Sequence, residues 1–134
     1  MSNRKDGTDF ERELCEKLRN FGFWVYCCPQ SADGQPADII AARNGKTYLI
    51  DAKVCKNDTF PLSRIEENQE LAMNYFADCG NLGGWFAMKT STGIFMIPLS
   101  LLADMKRKGD KTLSGIDEFL YFGRRLDSWA KYIA

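Results

Sequence analysis

The chain has 134 residues, 45% hydrophobic and 27% charged, which suits one globular domain spanning residues 1–134 and leaves no room for a second. Its 18 basic and 18 acidic side chains cancel, so it is no indiscriminate polyanion binder, although a local basic surface is permitted. Histidine is absent. That excludes Ser-His-Asp triads, histidine general bases and His-metal nuclease motifs, and it restricts any chemistry to carboxylates, lysine and a metal.

The first expected element is a helix. Thr8-Asp9-Phe10-Glu11 reads as a capping box with Thr8 as N-cap, opening a helix to about Asn20 that Gly22 would stop. At about 100° per residue, Phe10, Leu14, Leu18 and Phe21 form one apolar stripe with Cys15 at its flank. Glu11 projects beside Leu18 at the border of the stripe, while Glu13 and Glu16 point away. Glu11 is therefore the acid of this helix best placed to face the sheet, unless it only caps the helix. Phe23 to Cys28 is aromatic and β-branched, as a strand would be, and Pro29 to Gln35 is a polar loop with turn residues.

The stretch from Pro36 to Lys53 organises the rest. Asn44-Gly45 lies between two runs rich in Ile, Ala, Tyr and Leu, the strongest short-range hairpin signal, because a type I′ turn needs positive φ at both central residues. With those two residues as the turn, Arg43 pairs with Lys46, and the ladder runs through Ala42–Thr47, Ala41–Tyr48, Ile40–Leu49 and Ile39–Ile50. Asp38 then falls opposite Asp51, with Lys53 on the same face as Asp51. Opposed like charges are destabilising, and their neighbours are apolar. A divalent cation resolves the conflict, since hard cations such as Mg²⁺ take carboxylate oxygens and keep several waters. The bland alternative is a sheet edge with two solvated acids and a lysine.

Lys56 to Phe60 is a polar loop. Ser63-Arg64-Ile65-Glu66 is a second capping box, starting a helix to about Asp78 with the stripe Ile65, Ala72, Met73 and Phe76. Gln69 sits at the centre of that stripe, where its amide needs a partner, either backbone or a site. Gly83 to Thr90 and Gly93 to Leu99 are two further strands, and Ser100 to Lys108 is a short helix. The last stretch, Thr112 to Ala134, is expected to pack across the domain. Five cysteines without a C-x-x-C pair suggest neither a disulfide framework nor a structural zinc site. No apolar run approaches the roughly 18 residues of a membrane span and the first residues are no signal peptide. The expected location is cytoplasmic, with no membrane partner.

A helix with Glu11, a strand, a strand with Asp38, a strand with Asp51-Ala52-Lys53, a helix with Gln69 and further strands resemble the core of the PD-(D/E)xK nuclease superfamily. Within it the chain is most similar to RecU-type Holliday-junction resolvases and more distantly to the archaeal resolvases of the same fold. The matching pieces are Gly7–Glu11, Pro36–Asp38, Tyr48–Lys53 and Thr59–Gln69, together about the first half of the chain. The resemblance implies an α/β fold with a central mixed sheet flanked by helices, a restriction-endonuclease-like core. It implies a DNA endonuclease acting as a homodimer on four-way junctions in recombination or repair. It also implies Mg²⁺, with Mn²⁺ as a substitute, held by Asp38, Asp51, the Ala52 carbonyl and Glu11. Lys53 would serve the attacking water and the transition-state charge, beside Gln69. Asp51 stands where this family usually carries Glu, and the Pro29–Gln35 loop is short for the projecting stalk of RecU proteins. Other readings of the same residues are a phage- or restriction-type nuclease on other DNA structures, and a catalytically silent DNA-binding module. Lys106, Arg107, Lys108, Arg124 and Arg125, with Arg4, Lys5 and Lys56, are the candidates for phosphate contacts.

Overall fold

A computed structural model describes residues 3–31 and 34–134, with side chains from Lys5 onward. The element order is α1 (Asn3–Asn20), β1 (Trp24–Cys27), β2 (Ile39–Arg43), β3 (Lys46–Val54), β4 (Thr59–Pro61), α2 (Glu67–Asp78), β5 (Trp85–Thr90), β6 (Gly93–Pro98), α3 (Leu99–Arg107), β7 (Thr112–Ser114), α4 (Ile116–Phe122), β8 (Arg124–Arg125) and α5 (Leu126–Tyr132). Six strands form one sheet in the order β1-β2-β3-β5-β6-β8, and β4 and β7 pair apart from it. Only β3 and β5 run parallel, joined by the crossover that contains α2. The sheet is mixed and covered on both faces, as expected. None of the described helices is long and apolar enough to cross a membrane.

The Asn44-Gly45 turn sets the frame. Both residues have positive φ, 53° and 78°, and all five expected pairs form, from Arg43–Lys46 to Ile39–Ile50. Strand alternation then sends Tyr48 and Ile50 into a core with Phe10, Leu14 and Leu18 of α1 and Trp129 of α5. Leu49 goes to the opposite core, with Met73 of α2, Leu102 of α3 and Phe119 of α4. Asp51 and Lys53 share the face of Leu49 by the same alternation.

Three local expectations are corrected. Helix α1 begins at Asn3, so Thr8 and Glu11 lie inside it and form no capping box. Its C-terminus does follow the glycine rule: Phe23 N–H donates to Leu18 O at 3.1 Å and Gly22 N–H to Arg19 O at 2.9 Å, a Schellman closure around Gly22 at φ +92°. Phe21 is 36% exposed and outside the stripe, its place taken by Phe23 beyond the turn. The second capping box also fails, because Leu62–Arg64 is a 3₁₀ turn and α2 starts at Glu67 with no side-chain cap. Finally, Cys15 of α1 and Cys27 of β1 form a disulfide. Packing of α1 across β1 brings together two cysteines that sequence spacing had left unpaired.

Candidate active site

The site forms where β2 has ended and β3 continues. Asp38, just before β2, still keeps ladder geometry: its N–H donates to Ile50 O at 3.1 Å, and its carbonyl accepts Cys28 N–H at 2.9 Å. Beyond Ile50, β3 has no strand partner on its β2 side, though it stays paired with β5 on the other. The Asp38 carboxylate fills that place by accepting the Ala52 N–H at 2.8 Å, and its other oxygen accepts from Gln35 Nε2 at 3.2 Å. Asp38 is thus fixed in orientation by the hairpin itself, at 8% exposure.

Asp51 lies beside it and is wholly buried. Neither of its oxygens makes a well-aligned hydrogen bond within the protein, although Lys53 Nζ lies 3.2 Å from Oδ2. Burial first, then the negative charge of Asp38, push the Asp51 carboxyl well above the usual carboxylate range, and the Lys53 ammonium opposes them. Glu11 reaches the same place from α1. Burial, the charge of Asp38 and a hydrogen bond with it raise Glu11 to about 7, again against Lys53. The cap-only alternative for Glu11 disappears with the cap. Cys28 stands at the rim, its thiol raised by burial and then by Asp38 and Glu11.

A cavity of about 700 Å³ opens onto this group, lined among others by Glu11, Asp38, Ala52, Lys53 and Gln69. Gln69 is 4% exposed with an unpartnered Oε1, so the amide expected to need a partner does face the site. All five sequence-derived site residues, Glu11, Asp38, Asp51, Lys53 and Gln69, therefore meet in one place. Sequence reasoning missed Gln35, which orients Asp38, as well as Gln30, Ser31 and Asn68 along the walls. Gln35 reaches Asp38 from three residues away in the chain, whereas Asn68 comes from the distant helix α2.

Among the described residues no group of three or more acidic or cysteine side chains is disposed to hold a metal ion. What the site offers is the Asp38 and Glu11 carboxylates on the wall of a cavity roomy enough for water, with Asp51 buried beside Asp38. That fits a hard cation such as Mg²⁺, which keeps several waters and needs only one or two carboxylates. Asp51, buried beside Asp38 with the Lys53 ammonium at 3.2 Å, leaves negative charge that such an ion would balance.

The candidate phosphate contacts scatter. Lys56 flanks the site and pairs with Asp6 at 3.7 Å. Arg124 and Arg125 line a different cavity, of about 560 Å³, with Trp85 and Tyr121. Arg107 pairs with Asp104, at the end of α3 with Lys106 and Lys108. Lys5 has a partner of its own, and the side chain of Arg4 lies outside the described residues.

Comparison with known proteins gives the family and the fold. The sequence matches the family described as "Archaeal holliday junction resolvase (hjc)" over residues 1–118. A curated relative, the crossover junction endodeoxyribonuclease Hjc of Sulfolobus acidocaldarius, is 38% identical over 60 residues, covering 42% of this chain and 42% of that protein's length. The 1.6 Å structure of Archaeoglobus fulgidus Hjc, a Holliday junction resolvase from an archaeal hyperthermophile, superposes with a TM-score of 0.70 at 19% identity, over 92% of this chain and 99% of that one. That likeness establishes the shared fold. Of the two resolvase groups the motifs resemble, the archaeal one rather than the RecU type is the match. The chain belongs to the archaeal Holliday junction resolvase (Hjc) family.

Proposed function

We propose that this protein is a metal-dependent DNA endonuclease that resolves four-way junctions in recombination or repair, working as a homodimer in the cytoplasm. The observation that carries the reading is the wholly buried Asp51, held next to Asp38 with Lys53 at 3.2 Å on the same face. A structural protein gains nothing from that arrangement, because burying two neighbouring acids beside a single lysine costs stability.

Asp38, Asp51, the Ala52 carbonyl and Glu11 would hold Mg²⁺, or Mn²⁺ in its place. When bound, the ion lowers the pKa of the attacking water and polarises the phosphodiester oxygen. The side chains do the rest. Asp38 keeps its orientation through Ala52 and Gln35. Lys53 offers an ammonium to the water and to the charge that develops on the phosphoryl oxygens. The free Gln69 Oε1 can accept a hydrogen from that water and so fix its direction. Such positioning, rather than covalent chemistry, is what phosphoryl displacement needs.

The dimer is proposed on charge and surface. A neutral monomer with acids in its site has little net field for DNA, and two copies can join their basic surfaces under a two-fold axis that a four-way junction shares. Trp129 is fully buried and Trp85 packs against it at 5.7 Å, so neither is offered to such an interface. Phe122 is partly buried against the core. Exposed apolar side chains include Trp24 and Tyr26 on the edge strand β1, Leu71 and Tyr75 on α2, Tyr121 (83%) on α4 and Tyr132 (68%) on α5.

Labelled linear, flapped, forked and four-way DNAs incubated with Mg²⁺ test the whole reading, with sedimentation of the protein alone and with the junction. Paired nicks on the four-way DNA by a two-fold dimer are expected. A stable monomer that cuts linear duplex as readily would keep the nuclease and end the resolvase.

Glu11 and Glu13 separate site from surface on one helix. Glu13 pairs with Lys89 at 2.6 Å, away from the cavity. Glu11→Gln should lower Mg²⁺-dependent cleavage roughly 10- to 100-fold, the usual effect of losing a metal-supporting group, while Glu13→Gln should leave it near wild type. Equal rates for the two variants would remove Glu11 from the site.

A further inference from the structure

The cavity around Glu11, Asp38 and Gln69 does not end at Lys53. A second one, of about 480 Å³, shares Gly7, Ala52 and Lys53 with it and continues past Val54 to Thr59 and Arg64. The two make one trough, with carboxylates at one end and, at the other, Arg64 and a Lys56 that pairs with Asp6 at 3.7 Å. Arg64 is held in place from two sides. Its Nη1 donates to the carbonyl of Val54 at 2.9 Å, one residue and about 3.3 Å of strand rise beyond Lys53. Its guanidinium lies 5.5 Å over the ring of Phe60, which is fully buried. Arg64 as a whole is nonetheless exposed.

We propose that Arg64 binds the internucleotide phosphate adjacent to the one cleaved, so that the trough seats one DNA strand across Lys53. This rests on the nuclease reading for which phosphate is cut, but not for the binding itself. A guanidinium has five N–H donors in a rigid fork suited to phosphate. Only one is needed to hold it to Val54. An exposed arginine fixed by a backbone carbonyl and a core ring loses little rotamer freedom on binding, unlike a free surface lysine. Its cation also offsets the repulsion that the acid end of the trough would impose on a second phosphate. Arg64 is a positioning residue here: it aligns the strand and does not touch the reacting atoms.

The test is anisotropy of a labelled four-way junction in EDTA across a salt series, for wild type, Arg64→Gln and Lys131→Gln. Lys131 is an exposed lysine on α5, on the opposite face of the sheet from α2. Arg64→Gln should weaken binding roughly tenfold, as loss of one charge-assisted contact does, and reduce the salt slope by about 0.9. Lys131→Gln should do neither. Single methylphosphonates placed in turn along the strand should reveal one position that costs wild type affinity and costs Arg64→Gln nothing further. Wild-type affinity and salt slope in Arg64→Gln, or an undiminished methylphosphonate penalty at every position, would overturn the proposal and leave Arg64 a solvated charge. If Mg²⁺ supports no cleavage of any DNA while these losses appear, the phosphate site stands and the nuclease reading falls. Cleavage with a silent Arg64 does the reverse.

Discussion

Asp51→Asn should abolish Mg²⁺-dependent cleavage and at the same time make the metal-free protein more stable. The two effects have one cause. Without a cation, the native fold holds a fully buried Asp51 beside Asp38, and like charges so placed oppose folding. The pH dependence follows from the direction of the shifts. Asp51 and Glu11 both have folded pKa values above their unfolded ones, Glu11 at about 7 against 4.5. The native state therefore binds more protons than the unfolded chain, and stability in EDTA falls as pH rises from about 4 towards 7. Asn at position 51 removes one of the acids, so the melting curve should move up by a few degrees near neutral pH, where about 1 kcal/mol corresponds to ~3–6 °C at this size. The fall with pH should flatten as well. Mg²⁺ should stabilise wild type by mass action and leave the variant nearly unchanged. Asp38→Asn should lose cleavage too, with the fold kept, because the amide oxygen can still accept the Ala52 N–H. Melting in EDTA and in Mg²⁺, alongside single-turnover cleavage, reads all of this. Wild-type cleavage by Asp51→Asn would end the metal-site assignment.

Lys53→Ala is expected to lower the single-turnover rate on the order of 10²-fold or more, the scale of a group that serves proton transfer or charge in the transition state, with DNA affinity nearly unchanged. Its side chain is only 11% exposed and its ammonium is 3.2 Å from Asp51, so it is poorly placed to bind a distant phosphate and well placed to act at the acid pair. The same ammonium holds down both Asp51 and Glu11. Without it those acids keep their protons to higher pH, and the residual rate should rise at a higher pH than in wild type. A purely anchoring lysine would not move that profile. Loss of affinity in proportion to rate would recast Lys53 as a phosphate anchor, and rates should be compared with Mg²⁺ present because the metal-free variant leaves Asp51 without a counter-charge.

Most of the site was legible because it depends on local geometry. One Asn-Gly turn fixes the register of β2 on β3, and two-residue alternation then places Asp38, Asp51 and Lys53 with no reference to the rest of the chain. Helical periodicity put Glu11 at the edge of its stripe and Gln69 at the centre of another, which the burial of Phe10, Leu14, Leu18 and Met73 supports. Capping boxes were less informative. Thr8 and Ser63 carry the right pattern, but α1 had already begun at Asn3 and the chain still makes a 3₁₀ turn at Leu62–Arg64. A side chain that could cap does not decide where a helix starts when tertiary packing extends or delays it.

The sequence by itself determined the hairpin register, the acid pair with its lysine, the absence of histidine chemistry and the resolvase-like order of elements. All of these rest on residues near one another in the chain or on composition. Only the tertiary structure decided the pairing of β4 with β7 and of Cys15 with Cys27, and the placement of α4 and α5 on opposite faces of the sheet. It alone brought Arg64 to the carbonyl beyond Lys53. These contacts join segments whose sequences carry no mutual signal: their geometry comes from burying both faces of one sheet at once, which no local pattern encodes.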